Sequence, residues 1–351
     1  MHMKKMVAIP EGTDVIKVRK KMNKLFSEAR NNAKPNKCIL CGKPQTSFCN
    51  SHSVPQLSLR NIADNGKVLH ASLLMGIDAI DIEKGVNNSG TFHFICNDCD
   101  STFFQDYENE QNLKFVPTDK MLAEIAVKNI LLQLDKRAQE KELYRVLQRQ
   151  FNDYTNLEDL QKIKELDIRD YTEELQFHKD IADKGVAGVY QILYWSVLPY
   201  KVSIATQSAI ALSKDLEGNE INNIFNISEA VRMQFMHLVI LPLKEESVIL
   251  AFYHKRDKLY KKLRHQINSS SEGKILQFLN YIVFAYTENY FISKTIKSII
   301  ESNSKLAELA QENSGYPDLG FLGPDNFFGI EYQPIRMDEI PNFLSGNWMV
   351  R

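Results

Sequence analysis

The chain has 351 residues, more than one hydrophobic core usually accommodates, which predicts two domains or a small domain attached to a larger one. No run of about 18 apolar residues is present, so we expect no membrane-spanning helix and no membrane partner. The formal net charge of −1 conceals a basic N terminus, because residues 1–43 contain eleven Lys or Arg residues against three Asp or Glu residues. Such a segment is what phosphate binding needs, and it is also typical of the solvated side of an amphipathic helix.

The first predicted element is a basic helical segment in residues 1–35. In and around the stretch KVRKKMNKLF, apolar residues recur at helical spacing. We expect Val15, Val18, Met22 and Leu25 to be buried and the lysines and arginines to face solvent.

Two pairs of cysteines with identical spacing follow: Cys38 and Cys41 in CILC, and Cys96 and Cys99 in CNDC. Two such pairs complete the tetrahedral sulfur shell that Zn²⁺ prefers. A long charged chain with few cysteines and no signal peptide ahead of them is typical of the cytoplasm, where thiols stay reduced, so structural zinc is favoured over disulfides. Cys49 is interpreted as a small buried side chain or a minor ligand.

The residues between the two cysteine pairs have strand and turn character. TSFCNSHSVP ends at a proline, and NNSGTFHFIC has an Asn-Ser-Gly turn followed by alternating Phe92 and Phe94. After Cys99 the spacing of Phe103 and Phe104 with Tyr107 is that of a helix. We expect each cysteine pair to form a short turn, or zinc knuckle. The order of knuckle, hairpin, knuckle and helix predicts a zinc-stapled treble-clef (ββα) module at residues 36–116.

The ordered motifs CILC, SHSVP and CNDCD resemble those of the zinc-containing HNH, or ββα-metal, endonucleases. The usual family pattern is Cys-x-x-Cys, Asp-His-x-x-Pro, Asn and Cys-x-x-Cys-His, and the resemblance covers residues 36–110. It implies a phosphodiester hydrolase that cuts nucleic acid, with His52 as the general base. It also implies a catalytic Mg²⁺ or Mn²⁺ held by Ser51 and Asp100, the zinc being structural only.

The motifs depart from the family pattern in several places. Ser51 replaces an Asp or His, and a hydroxyl binds a hard cation more weakly than a carboxylate. Glu108 is a supporting candidate, but two turns of continuous helix would separate it from Asp100 by roughly 12 Å, too far for one ion. The middle Asn of the family has no clear match, and Asn87, Asn88 and His93 are the candidates.

A second interpretation of these residues is structural. A Ser-His dipeptide before a proline is compatible with a turn in which His52 bonds to a backbone carbonyl, and Asp100 with a carboxylate favoured at a helix N terminus. The alternative function is a zinc module that has lost its nuclease centre and binds nucleic acid or protein.

The expected partner is nucleic acid, DNA rather than RNA. For the endonuclease interpretation, the arrangement of an N-terminal zinc module and a larger C-terminal module resembles that of bacterial phage-defence or restriction effectors.

Residues 117–351 predict a larger module, first helical and then α+β, for recognition, regulation or homo-oligomerisation. A long helical stretch is predicted from the N-cap Thr118, and shorter helices are predicted to continue it to Gly185. Strands follow, of which QFMHLVILPLKEESVILAFYHK is the clearest hairpin. A basic helix, KRDKLYKKLRHQI, precedes an apolar helix at 274–300, and the last forty residues are predicted to be irregular. We expect this module to have a hydrophobic core separate from that of the zinc module.

Overall fold

We describe the protein from a computed structural model, which defines residues 12, 14–75, 82–150, 157–223, 226, 228–313 and 334–350. Helices and strands are mixed along these residues, which confirms the α+β class. No helix within the described ranges has both the length and the apolar character that crossing a bilayer requires. The predicted irregular stretch GYPDLGFLGPDNFFG lies outside the described residues, and short 3₁₀ turns follow at Pro334–Glu339 and Gly346–Trp348.

The N-terminal part consists of short elements around the two cysteine pairs. Helix α1 spans Val15–Asn32, and it is followed by β1 (Ser51–His52), α2 (Gln56–Ile62), β2 (Lys67–His70), α3 (Ser72–Met75), β3 (Glu83–Gly85) and β4 (Thr91–Phe92). Three short helices come next, α4 (Asn97–Phe103), α5 (Gln105–Glu108) and α6 (Glu110–Leu113). Strands β1 and β4 form an antiparallel pair, and α4 begins directly after Cys96.

Two long helices, α7 (Asp119–Gln150) and α8 (Leu157–Lys184), pack against each other. Thr118 acts as the predicted N-cap of α7, since its Oγ1 accepts the N–H of Met121 at 3.3 Å. Gly185, with φ +62°, ends α8 in the left-handed conformation that glycine adopts readily. The predicted limits of the helical region are therefore confirmed, whereas the prediction of shorter helices before Gly185 is wrong, because α8 is one continuous helix.

The described residues after α8 form five strands and four α-helices. The strands are β5 (Tyr190–Leu198), β6 (Ile204–Ile210), β7 (Met236–Pro242), β8 (Ser247–His254) and β9 (Tyr290–Ile292), and the helices are α9 (Lys261–Asn268), α10 (Glu272–Tyr286), α11 (Lys297–Ser302) and α12 (Ser304–Asn313). Strands β7 and β8 are the predicted hairpin. The predicted continuous helix at 274–300 is wrong, because the aromatic and β-branched residues of β9 interrupt it and pair with β6 and β2.

Seven strands form one antiparallel sheet in the order β3-β2-β9-β6-β7-β8-β5. Both of its sides are buried, and alternate residues of β7 show this. Leu238 and Ile240 pack in a cluster with α9, α10 and α12, whereas Val239 and Leu241 pack in a cluster with α7 and α8. The second cluster also contains Cys38 and Phe92.

The prediction of separate hydrophobic cores for residues 36–116 and 117–351 is wrong. Strands β2 and β3, which lie between the cysteine pairs, belong to the large sheet, and the buried cluster around the cysteines continues to Phe252 of β8. The predicted turn glycine, Gly90, has φ +64°, and a Cβ built on it would lie 2.6 Å from the ring of Phe291 in β9. The boundary at residue 116 therefore does not mark a break in the core.

Candidate functional site

The two cysteine pairs meet in space. A turn at Gly42, with φ +71°, follows Cys38 and Cys41, while Cys96 is the N-cap of α4 and Cys99 lies in its first turn. The four sulfur atoms all lie within 4.8 Å of one another, and Sγ of Cys41 is 3.9 Å from Sγ of Cys96. Tetrahedral bonds of about 2.3 Å to zinc would place sulfurs about 3.8 Å apart. The four cysteines are therefore close enough to hold one metal ion, and this donor set fits zinc.

Backbone N–H groups point at the sulfur atoms and favour the thiolate form. The N–H of Cys96 donates to Sγ of Cys38 at 3.4 Å, and that of Lys43 lowers the pKa of Cys41 to about 7. Burial raises the pKa of Cys38 and of Cys99. These two sulfurs therefore need the charge of a bound cation to become thiolates at neutral pH.

The fifth cysteine lies beside this cluster and has a different partner. Cys49 donates a hydrogen bond to Oδ2 of Asp100 at 3.2 Å. Burial, followed by the neighbouring Asp100 carboxylate, raises the pKa of Cys49 to about 12. Cys49 is thus a neutral donor to Asp100, and the interpretation of it as a minor metal ligand loses its basis.

His52 is half-buried in β1, and its ring bonds to the backbone. Nε2 of His52 lies 3.0 Å from the carbonyl oxygen of Val86, and because a carbonyl only accepts, Nε2 carries the proton. Nδ1 is then the ring atom that accepts a proton. Burial lowers the pKa of His52, and the positive charge of Lys128 adds to this effect, so the ring is neutral near pH 7.

The turn that contains the Val86 carbonyl is held in place by hydrogen bonds to the next residue, Asn87. The side chain of Asn50 donates to the Asn87 carbonyl oxygen at 2.9 Å, and that of Gln56 donates to Oδ1 of Asn87 at 3.0 Å. A cavity of about 360 Å³ opens on the turn and is lined in part by Arg60 and Val86. The orientation of the His52 ring is therefore set by an ordered turn.

The position predicted for a divalent metal ion contains the ammonium group of Lys128. Its Nζ lies 3.1 Å from Oδ1 of Asp100, 3.0 Å from Oε1 of Glu108 and 3.3 Å from Oγ of Ser51. The side chain of Lys128 is only 1% exposed, and Nζ lies 3.8 Å from the centroid of the Phe104 ring. The two residues predicted as metal ligands, Ser51 and Asp100, and the supporting candidate Glu108 thus converge on an ammonium. We call these three residues and Lys128 the lysine cluster.

Glu108 reaches the lysine cluster because the helix after Cys99 is interrupted. Helix α4 ends at Phe103 and α5 begins at Gln105, with Phe104 between them at φ −104° and ψ 14°. The prediction that Asp100 and Glu108 are too far apart to share one cation is therefore wrong. Burial alone would raise the pKa of Asp100, but the charge of Lys128 and the hydrogen bond from Ser51 hold it below its ordinary value.

Sequence reasoning missed Lys128, and its surroundings explain why. Lys128 lies four residues after Glu124, a spacing that is typical of a solvent-exposed ion pair on a helix. The residues around it in α7, from Met121 to Leu132, are all buried, and both charged side chains are 1% exposed. The sequence does contain a signal that indicates a buried polar cluster, namely a charged residue within a helix that is apolar on all sides.

Asn88 and His93 lie away from the lysine cluster. Asn88 is exposed in the turn after β3. His93 is half-buried after β4, and burial, with the charges of Lys34 and Arg30, lowers its pKa. Among the described residues, no hydrogen bond or ion pair connects either side chain to His52, Ser51 or Asp100.

A basic surface adjoins the four clustered cysteines. Helix α1 is fixed to α7 by Leu25, which packs on Val146 and Leu147. Residues 14–43 contain nine Lys or Arg residues against two Asp or Glu residues. The members of the basic surface are exposed, and they are Lys17, Lys20, Lys24, Arg30, Lys34, Lys37 and Lys43.

A second polar cluster is buried between α8 and the sheet. Glu174 accepts hydrogen bonds from Arg232 at 2.8 Å and from Arg256, and it lies 3.3 Å from Nε2 of His178. Burial alone would raise the pKa of Glu174, but these partners lower it to about 2. His237 and His254, whose pKa values burial lowers, lie beside His178. This cluster joins α8 to β7 and β8 and contains no set of ligand atoms as close as the four sulfurs, as far as the chain is described.

Comparison of the chain with protein-family models, with curated proteins and with solved structures gives no match. The resemblance to HNH endonucleases therefore rests on the sequence motifs, and any function has to be argued from the site itself.

Proposed function

We propose that the protein is a zinc-stabilised nucleic-acid-binding protein that contacts the phosphate backbone through the basic surface. The observation that carries this proposal is the exposure of seven basic side chains, on α1 and the adjoining cysteine turn, in a segment that has only two acidic residues. Each phosphate that a lysine or arginine neutralises releases condensed counterions, which favours binding to a polyanion. Double-stranded DNA is the proposed partner.

Zinc at the four cysteines has a structural role in this proposal. Four sulfur ligands leave no open position for water or substrate, and a bound Zn²⁺ would offset two of the four negative charges of the thiolates. The β1 and β4 pair followed by α4 supports a treble-clef arrangement around the ion. Zinc would then fix the cysteine turn that continues the basic surface after α1.

The lysine cluster favours binding over metal-dependent cleavage. Oδ1 of Asp100 already accepts from Ser51 and Lys128, and Oδ2 accepts from Cys49. The two carboxylates outweigh one ammonium, so the cluster has a net negative charge that repels a phosphate. These residues do not fit a catalytic Mg²⁺ or Mn²⁺.

Hydrolysis at His52 is the second candidate, and one observation favours it. The bond from Nε2 to the Val86 carbonyl leaves Nδ1 of a neutral ring as a proton acceptor, which is the state that a general base requires. Cleavage of plasmid DNA that is lost in His52→Ala, without loss of zinc or of DNA binding, would support this candidate. Absence of cleavage by the wild-type protein would leave binding as the function.

The test of the main proposal is a charge reversal on the basic surface. Lys17, Lys20 and Lys24 are exposed at helical spacing on α1, and replacing all three by Glu should weaken binding of a labelled DNA duplex at low salt by about tenfold or more. Fluorescence anisotropy measures this change. Zinc content and circular dichroism confirm that the variant is folded.

The matched control reverses three lysines elsewhere. Lys258, in the 3₁₀ turn before α9, and Lys261 and Lys262, at the start of α9, are exposed and belong to the second basic stretch of the sequence. Their replacement by Glu changes the net charge equally and should weaken binding much less. Equal losses in the two variants, or no binding of DNA or RNA by the wild-type protein, would contradict the proposal, while a role in phage defence stays a prediction from the sequence.

A further inference from the structure

The three N–H groups of Lys128 have three oxygen partners, one each from Ser51, Asp100 and Glu108. An ammonium group has three donors, so the group is fully satisfied without water. The Phe104 ring covers it from another direction, at 3.8 Å from Nζ to the ring centroid. A buried lysine is stable only when it is paired in this way, so the arrangement is a built cation site and not a chance contact.

The carboxylate oxygens that face Lys128 have further partners. Oε1 of Glu108 accepts from Lys128 at 3.0 Å and from the hydroxyl of Tyr107 at 3.2 Å, and Oδ1 of Asp100 is shared by Lys128 and Ser51. A divalent ion among these oxygens would have to break such bonds and lie next to a positive charge. Metal binding and the observed position of Lys128 are therefore mutually exclusive.

We propose that Lys128 is the resident cation of this centre, in which its ammonium takes the place of a divalent metal ion between Ser51, Asp100 and Glu108. The position of the ammonium follows from the fold, because Lys128 lies on α7 while its oxygen partners lie on β1, α4 and α5. Lys128 is a positioning residue that holds these elements together. The protein accordingly acts without a divalent ion at Asp100, whether it only binds nucleic acid or also hydrolyses it.

Manganese binding tests this inference directly and independently of nucleic-acid binding. Zinc-loaded protein is transferred to buffer without other divalent ions and titrated with Mn²⁺, and free Mn²⁺ is read from its electron paramagnetic resonance signal. EDTA is unsuitable, because a chelator also removes zinc from the cysteines. The wild-type protein and Asp100→Asn should bind the same number of Mn²⁺ ions.

Removal of the amine should open the site. Lys128→Ala leaves two carboxylates and a hydroxyl facing a vacant position, and it should bind one additional Mn²⁺ that Lys128→Ala with Asp100→Asn does not bind. Failure of a folded Lys128→Ala to gain this ion would overturn the inference. The inference would also be overturned if the wild-type protein bound one Mn²⁺ that Asp100→Asn does not bind. This comparison does not depend on whether Lys128→Ala folds.

Discussion

The Nζ atom of Lys128 lies 3.1 Å from Oδ1 of Asp100, at the position where the sequence motifs predict a divalent metal ion. This contact joins helix α7, from the long helical region, to α4, which begins at the second cysteine pair. It therefore has two consequences, one for the chemistry of the centre and one for the stability of the whole chain.

Lys128→Met should destabilise the protein by about 3 kcal/mol, since it leaves Asp100 and Glu108 without their shared cation. Urea unfolding measures the change. The control is Lys184→Met at the end of α8, because Lys184 pairs with Asp180 at 2.9 Å while the two side chains are 66% and 44% exposed. We expect the control to cost less than about 1 kcal/mol. Equal costs would show that the lysine cluster contributes no more than a surface ion pair.

Cys96→Ser should remove the metal and lower the thermal stability of the entire chain. The sulfur of Cys96 belongs to the cluster of four, whereas Cys49 bonds to Asp100, so Cys49→Ser should keep the metal. Elemental analysis and calorimetry of the two variants make the comparison. Because the buried cluster at the cysteines continues into the sheet, we expect one cooperative transition that shifts as a whole. Two transitions, with only the first shifted by Cys96→Ser, would argue against a shared core.

Gly90→Ala should destabilise the protein more than Gly185→Ala does. The two glycines have nearly the same φ, +64° and +62°, so the backbone strain of an alanine is the same at both. A Cβ at Gly90 would meet Phe291 and Ser53 at 2.6 Å, whereas nothing lies within 4 Å of a Cβ at Gly185. We expect about 1 kcal/mol for Gly185→Ala and about 2 to 4 kcal/mol for Gly90→Ala. Chemical denaturation compares them, and similar costs would mean that the turn does not pack tightly on β9.

His254 should make the protein less stable in acid. Burial lowers the pKa of His254 to about 3, below the value of about 6.5 in an unfolded chain, so the unfolded state binds the proton more tightly. Stability is unaffected by this residue above about pH 6.5 and falls by about 1.4 kcal/mol per pH unit below it. Glu124 acts in the opposite direction, because burial raises its pKa to about 7, so variants must be compared with the wild-type protein at each pH.

His254→Gln should therefore reduce the loss of stability between neutral pH and pH 5, as measured by urea unfolding across that range. The exposed His265 provides the control, since His265→Gln should leave the pH dependence as it is. An unchanged pH dependence in His254→Gln would contradict the assigned effect of burial.

The sequence predicted features that depend on local spacing. The cysteine pairs, the Thr118 N-cap, the end of α8 at Gly185 and the hairpin of β7 and β8 all have short-range signals, and all are present. It did not predict β2 and β3, because strands of four and three residues carry little periodicity and their partners in the sheet are distant in the sequence. The shared core follows from those pairings, so it was missed as well.

The sequence predicted only part of the candidate site, because here too it reports local spacing and not the packing of distant elements. Ser51, His52 and Asp100 were singled out from motifs, and the structure places Ser51 and Asp100 in direct contact. The role of Lys128 depends on how α7 packs against α4, which no local pattern reports. Glu108 was excluded as a partner of Asp100 by assuming a straight helix, whereas Phe104 interrupts it.

The salt dependence of DNA binding tests the central claim most directly. If the basic surface binds the phosphate backbone, the logarithm of the binding constant should fall linearly with the logarithm of the salt concentration. Replacing Lys20 by Ala should then make the slope less steep by about 0.9, the value for one lost phosphate contact. Lys262→Ala, an exposed position on α9, should leave the slope unchanged. A wild-type slope near zero, or a slope that Lys20→Ala does not alter while Lys262→Ala does, would contradict the account.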